Sequence, residues 1–306
     1  MKKNKFKKKN LNVLSVNTFT FVLSIFFLTI GYQIQSRNFL IGTLINEIFI
    51  ILIPALFLCR GGRIRDVLRV KPLGVKNFFR TIIIVVFSYP VILLLNGIFL
   101  TILSNFIGLE NYPIDYNESV LSYLFYICLI PAICEEVFFR GALINSYNIY
   151  GRKFAIVMSA LVFALFHFDV QNFVAPLLLG ILFGNLLELS DSIFSPMLGH
   201  FLNNLIAFFS AKYVNDFLFD ILDKTSLARD IGSLQLYIII VLSIVSFIAV
   251  FVIKFIFKRM KEDRLIQIKQ DESRIRTREI ESIDFFNFAP IVTLIILYFI
   301  YFIIVF

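Results

Sequence analysis

An apolar segment at residues 131–141 reads PAICEEVFFRG and carries three charged side chains, those of Glu135, Glu136 and Arg140. One charge at the centre of a membrane helix costs about 2.5 to 3.5 kcal/mol, so three charges this close together require partners. Helical residues four positions apart share a face, which lets Glu136 pair with Arg140, whereas Glu135 is rotated by about 100° from its neighbour. Glu135 must therefore meet a group on another helix, which indicates a bundle of packed helices.

The composition places this bundle in a membrane. Of the 306 residues, 59% are hydrophobic and 16% are charged, whereas soluble domains are about 45 to 50% apolar and about 25% charged. A helix needs about 20 apolar residues to cross the bilayer core, so this length predicts roughly eight or nine transmembrane helices. Continuous apolar runs exclude the alternating strands of a membrane barrel. We expect an all-α, polytopic integral membrane protein with a single domain over residues 1–306.

Nine apolar runs follow one another along the chain. Their approximate bounds are 16–34, 39–59, 81–107, 119–146, 154–168, 173–188, 196–213, 234–257 and 285–306. The first ten residues contain six lysines, and residues 60–80 contain seven Lys or Arg against one acid. Such positive segments are typical of the cytoplasmic side. The sequence therefore predicts a multi-pass protein of the cell membrane with an uncleaved first helix and a cytoplasmic N-terminus.

The remaining charges follow the same topology with one exception. Acidic segments at 110–118 and 216–230 indicate external loops. The connection between the sixth and seventh runs carries Glu188 and Asp191 without a basic residue, which does not fit a cytoplasmic loop. Most of the 29 Lys and Arg lie between apolar runs, so the net charge of +8 reflects membrane topology. Nucleic acid is not an expected partner.

Two histidines, His167 and His200, are present in the chain, and both lie in apolar runs. His200 and Asn204 are four residues apart and share one helix face, with Asn203 turned away. Glu47, in the second run, has no evident partner. Ionisable residues within membrane helices are functional candidates because their burial is costly.

Counting along helices four and five predicts where the first histidine meets Glu135. Glu135 lies 12 residues before Tyr147, and His167 lies 13 residues after Phe154. Both are therefore roughly 18 to 20 Å from the connection that these helices share, and they come level if the helices are antiparallel neighbours. One carboxyl group, two imidazoles and the Asn204 amide can then converge. Such a set can activate water and stabilise the oxyanion that forms when water attacks an amide.

Three motifs in this region resemble those of the CAAX protease and bacteriocin-processing (CPBP) family of intramembrane proteases, which includes the eukaryotic type II CAAX prenyl endopeptidase. The matching residues are those of EExxxR, FxxxH and HxxxN: Glu135, Glu136 and Arg140, Phe163 and His167, and His200 and Asn204. The resemblance covers residues 119–214. It predicts a core that carries the site on helices four, five and seven.

The resemblance implies a division of roles among these residues. Glu135 and His167 would activate the attacking water, and His200 and Asn204 would stabilise the oxyanion. Glu136 and Arg140 would hold the site together. A rival interpretation makes Glu135, His167 and His200 the ligands of a zinc ion, because a His2Glu set with an open water position is a hydrolytic zinc site. The expected cofactor is therefore either none or Zn²⁺.

Three functions compete on this basis. The leading hypothesis is an intramembrane endopeptidase that cuts a membrane-associated peptide or protein, with bacteriocin processing or immunity as a family-level expectation. The alternative is a non-catalytic membrane scaffold or regulator that binds another membrane protein. A transporter with a proton relay through Glu135 is disfavoured, because the halves of the chain show no repeat. The expected partners are the substrate and the lipid bilayer.

Overall fold

The protein is helical throughout the parts of the chain that the computed structural model describes, which are residues 11–60, 63–109, 119–214, 231–270 and 280–305. No strand occurs in these parts, in agreement with the predicted all-α class. Nine helices longer than two turns are present there: α1 (Val13–Arg37), α2 (Phe39–Cys59), α3 (Val75–Leu103), α4 (Val120–Tyr150), α5 (Arg152–Leu165), α6 (Val174–Ser190), α7 (Phe194–Phe209), α8 (Ile231–Gln270) and α9 (Ala289–Val305).

Six candidate membrane spans are found among the described residues: Val13–Arg37, Phe39–Cys59, Val75–Leu103, Val120–Tyr150, Leu236–Gln270 and Phe285–Ile304. Helices α5 and α6 have 14 and 17 residues, which is short for an independent crossing of the bilayer. Helix α7 has 16 α-helical residues and continues as the π-helical piece Ser210–Val214, but it is not among the candidate spans. The predicted count of eight or nine crossings is therefore not confirmed. The N-terminal lysines and the acidic segments at 110–118 and 216–230 lie outside the described residues.

Helix α4 carries the charged segment and departs from regular α-helical geometry. Two stretches of wider π-helical turns, Leu124–Leu129 and Glu136–Leu143, flank the α-helical piece Ile130–Glu135. Pro131 lies in this central piece and lacks the N–H that a regular ladder requires. Wider turns of this kind are frequent at functional sites, and the second stretch begins at Glu136.

Packing between neighbouring helices holds α5 next to α4 and α6. The Ser159 hydroxyl of α5 donates a hydrogen bond of 2.7 Å to the Phe139 carbonyl of α4. On the opposite side, a Cβ at Gly180 of α6 would lie 2.7 Å from Cα of Ala160, so only glycine permits this approach. Small residues at such positions let membrane helices pack closely. Helices four and five are therefore neighbours, as predicted.

A network of ion pairs joins several helix ends on one side of the bundle. Glu188 at the end of α6 pairs with Arg69, which precedes α3, and with Arg152 at 2.8 Å. Asp191 pairs with Lys71 and, at 3.0 Å, with Arg264 of α8. The two acids that did not fit a cytoplasmic loop are thus neutralised by basic residues from distant parts of the chain.

The charges around Asp191 change its proton affinity. Burial raises the pKa of this carboxyl group, but the hydrogen bond from Lys71 and the charges of Arg264 and Arg69 outweigh burial and hold the pKa below its ordinary value. The ionised form is therefore favoured by folding. This contribution to stability is present above the ordinary carboxyl pKa of about 4, and it is lost as the pH falls through the lowered pKa of the folded protein.

Asp191→Asn tests the energetic weight of this network. Asparagine keeps the size of the side chain and tolerates the left-handed backbone at this position, where φ is 53°. We expect the free energy of unfolding in detergent to fall by about 3 kcal/mol at neutral pH, because the largely buried Arg264 loses this ion pair. Asp263→Asn is the matched control, because Asp263 pairs with Arg80 but its side chain is 43% exposed. We expect this variant to change the free energy of unfolding by less than about 1 kcal/mol. An equal change in both variants would contradict this assignment.

Candidate active site

A cavity of about 580 Å³ lies between the helices and brings together all four predicted site residues. Glu135 reaches it from α4, His167 from the turn after α5, and His200 and Asn204 from α7. Side chains from three separate apolar runs therefore line the same cavity, as the motifs predicted. Its mixed polar and apolar lining is typical of a ligand site.

His200 connects the two adjacent glutamates of α4. Its Nδ1 lies 2.9 Å from Oε1 of Glu136, and its Nε2 lies 3.7 Å from Oε2 of Glu135. A carboxylate next to Nδ1 fixes the orientation of an imidazole ring and makes Nδ1 the donor. The Nε2 atom of His200 then faces Glu135, a residue that lines the cavity. The partner that Glu135 required from another helix is thus His200.

Glu136 and Arg140 form the buried support beneath His200. Their side chains are fully buried, and Nε of Arg140 lies 3.1 Å from Oε2 of Glu136. The Arg140 guanidinium also lies 4.4 Å from the centre of the Phe163 ring and 5.4 Å from that of Phe183, close enough for cation–π attraction. The i,i+4 pairing predicted for these two residues is present, and it leaves Oε1 of Glu136 for His200.

His167 lies outside the helix to which the sequence assigned it. Helix α5 ends at Leu165, whereas the predicted run extended to Phe168. Phe168 adopts a positive φ of 49°, which ends the helical path of the chain. Nδ1 of His167 lies 2.9 Å from the Phe163 carbonyl. With Nδ1 donating to this carbonyl, Nε2 is the nitrogen that can accept a hydrogen bond in the cavity.

The amide of Asn204 is held by two neighbours. Its Nδ2 donates to the Ile127 carbonyl at 3.0 Å, and its Oδ1 accepts from Nδ2 of Asn203 at 3.3 Å. The amide group has a second N–H, which can serve a ligand. Asn203 was predicted to turn away, but it also lines the cavity and orients the Asn204 side chain.

Other polar residues that line the cavity were not assigned to the site from sequence. They are Gln35, Thr43, Asn46, Glu47, Tyr89, Asn96, Asn172 and Asn203. The sequence shows no evident partner for Glu47. In the structure its carboxyl group lies close enough to Glu135 to interact electrostatically. Neutral amides carry no distinctive signal in a sequence, so their position in the cavity required the tertiary structure.

The zinc interpretation requires three ligands around one point. Among the described residues, no group of three or more His, Cys, Asp and Glu side chains is placed to hold a metal ion. Nδ1 of His200 contacts Glu136 and Nδ1 of His167 faces a backbone carbonyl, which leaves Nε2 of each ring as the nitrogen that a metal would take. The choice between no cofactor and Zn²⁺ stays a prediction, which chelation tests.

Arg140→Met tests the buried support. It leaves the Glu136 carboxylate without its cation, and we expect a loss of about 3 to 5 kcal/mol in the free energy of unfolding in detergent. The double variant Glu136→Gln, Arg140→Met removes both charges and should regain most of this loss. Arg152→Met is the control, because this side chain is 51% exposed and Glu188 keeps Arg69. A double variant no more stable than Arg140→Met would refute the pairing.

Part of the chain is similar to a known protein family. Residues 117–206 match the family described as type II CAAX prenyl endopeptidase Rce1-like, and the match includes all three motifs. Neither a curated protein nor a solved structure matches the chain. The resemblance predicted from the motifs is thereby confirmed, and with six candidate spans it supports a membrane protease. Residues 117–206 of this multi-pass membrane protein are therefore similar to the type II CAAX prenyl endopeptidase Rce1-like family.

Proposed function

We propose that the protein is an intramembrane endopeptidase that hydrolyses a peptide bond of a membrane-associated peptide or protein. The observation that carries this proposal is the placement of Glu135, His167, His200 and Asn204 around one cavity within the helices. Peptide hydrolysis needs a base for water and donors for an oxyanion, and these side chains supply both. The Rce1-like family assignment supports the same reaction class.

Glu135 is the proposed general base. Its carboxylate removes a proton from a water molecule, and the oxygen of that water attacks the carbonyl carbon of the scissile amide. Nε2 of His167 accepts a hydrogen bond from the same water and orients it. When the tetrahedral intermediate collapses, the C–N bond breaks and the proton held by Glu135 passes to the leaving nitrogen.

His200 and Asn204 are the proposed oxyanion donors. The second N–H of the Asn204 amide is available while the first is held by the Ile127 carbonyl. With its ring protonated, His200 donates from Nε2 as well as from Nδ1, which lies 2.9 Å from Oε1 of Glu136. Glu136 and Arg140 act through His200 by fixing its ring, so they are positioning residues. Donors of this kind stabilise a transition state most in a water-poor cavity.

Glu135→Gln tests the assigned base. We expect this variant to lose about 10²- to 10⁴-fold in kcat for cleavage of a membrane-tethered peptide, because Gln cannot take a proton from water. Glu262→Gln is the matched control, since Glu262 is 44% exposed and pairs with Arg259 on the surface. Purified wild-type protein and both variants are compared in detergent at equal folded concentration. Equal cleavage by all three proteins would remove Glu135 from the mechanism.

Chelation distinguishes the proposed mechanism from the zinc alternative. We expect wild-type cleavage to persist after dialysis against a strong chelator, and the dialysed protein to contain no stoichiometric zinc by elemental analysis. Loss of cleavage that added Zn²⁺ restores would instead support Glu135, His167 and His200 as zinc ligands.

The scaffold alternative makes the opposite prediction for the same variants. A protein that acts by binding another membrane protein would keep its cellular effect in Glu135→Gln and His167→Ala, provided that both variants insert normally. We expect both variants to lose that effect. Retention of the effect by both would favour the scaffold.

A further inference from the structure

Part of the cavity wall contains polar atoms that no described residue satisfies. Oδ1 of Asn46, Oε2 of Glu47 and Oδ1 of Asn96 are shielded from solvent and have no hydrogen-bond partner in the described parts of the chain. All three residues line the same cavity as Glu135. Buried acceptors are rarely left without a donor, because each unsatisfied group costs about 1 to 3 kcal/mol. A ligand that supplies donors would remove this cost.

The two residues on α2 are deeply buried and firmly placed. Asn46 is 2% exposed and Glu47 is 7% exposed. Nδ2 of Asn46 donates to the Gly31 carbonyl of α1 at 3.1 Å, which sets the orientation of the amide and leaves its oxygen unpaired. Asn96 approaches from α3, so the acceptors come from two helices.

The charge of the cavity favours a cationic ligand. No Lys or Arg lines it among the described residues, whereas two glutamates, Glu47 and Glu135, do. Arg140 is held by Glu136 beneath the site. Glu47 lies next to Glu135, and a cation with hydrogen-bond donors that reached the two carboxyl groups would stabilise their ionised forms.

The cavity also has an apolar wall next to these acceptors. Phe39, Ile92 and Leu93 line it on α2 and α3. Long basic side chains bury an aliphatic stem against apolar surface while the charged head reaches polar groups. An ammonium group has three donors and a guanidinium has five, which suits several acceptors that lack a partner.

We propose that Asn46, Glu47 and Asn96 form a specificity subsite that binds the side chain of a lysine or arginine residue close to the scissile bond of the substrate. This inference rests on the proposed peptidase function. The subsite would select among membrane-associated peptides by charge, while Glu135 performs the reaction.

The test begins with full-length protein in lipid vesicles and a randomised library of palmitoyl-anchored peptides, with cleavage sites read by mass spectrometry. We expect Lys or Arg to be enriched at one position near the cleaved bond. A cleaved lysine peptide is then compared with its norleucine analogue, which keeps the carbon chain without the ammonium. We expect kcat/KM to fall by about 10- to 100-fold, the loss typical of a hydrogen bond to a charged group.

Variants of the wall identify the residues responsible. Glu47→Gln should bring kcat/KM for the lysine and norleucine peptides close together, and Asn96→Leu on the other wall should reduce the preference in the same direction. Thr43→Val is the matched control, because Thr43 lies one turn from Glu47 in the same cavity and its hydroxyl already bonds Phe39 and Gln35. This control should keep the lysine preference.

The outcomes separate this inference from the proposed function. Cleavage without any preference for a basic residue would overturn the subsite and leave the peptidase assignment intact. A lysine preference that survives in both Glu47→Gln and Asn96→Leu would also overturn it. Failure of the wild-type protein to cleave any peptide of the library would overturn the peptidase assignment together with this inference.

Discussion

The buried ion pair between Glu136 and Arg140 is the interaction on which the rest of the site depends. Neither charge can remain within an apolar bundle alone, because an isolated buried charge costs several kcal/mol. The pair leaves one oxygen of Glu136 for Nδ1 of His200, and the ring of His200 then faces Glu135. A requirement for charge neutralisation on one helix thus determines how a second helix presents its imidazole.

The need to neutralise buried charges also determines the contacts at the C-terminal end of α6, where the partners come from distant segments of the chain. Glu188 and Asp191 are neutralised by Arg69, Lys71 and Arg264, which lie before α3 and on α8. These pairs join the end of α6 to α5, to α8 and to the segment before α3. Helices α5, α6 and α7 are not among the six candidate spans, yet α7 carries His200 and Asn204.

Several features of the site were predictable because they are local. The i,i+4 pairing of Glu136 with Arg140 follows from helix periodicity. Counting residues from the connection that helices four and five share predicts that Glu135 and His167 come level, and both residues line the cavity. The end of α5 was not predictable from hydropathy, since Phe166 and Phe168 are as apolar as the helix before them. The backbone leaves the helix there, and His167 reaches the cavity from a turn.

The sequence by itself determined that this is an all-helical membrane protein with three Rce1-like motifs, because continuous apolar runs and the spacing of charges depend only on the order of residues. The tertiary structure alone decided which neutral amides share the cavity, which cations neutralise Glu188 and Asp191, and that Glu47 lies near Glu135. These relations join residues far apart in the chain. They depend on how helices rotate and pack against one another, which helical periodicity does not specify.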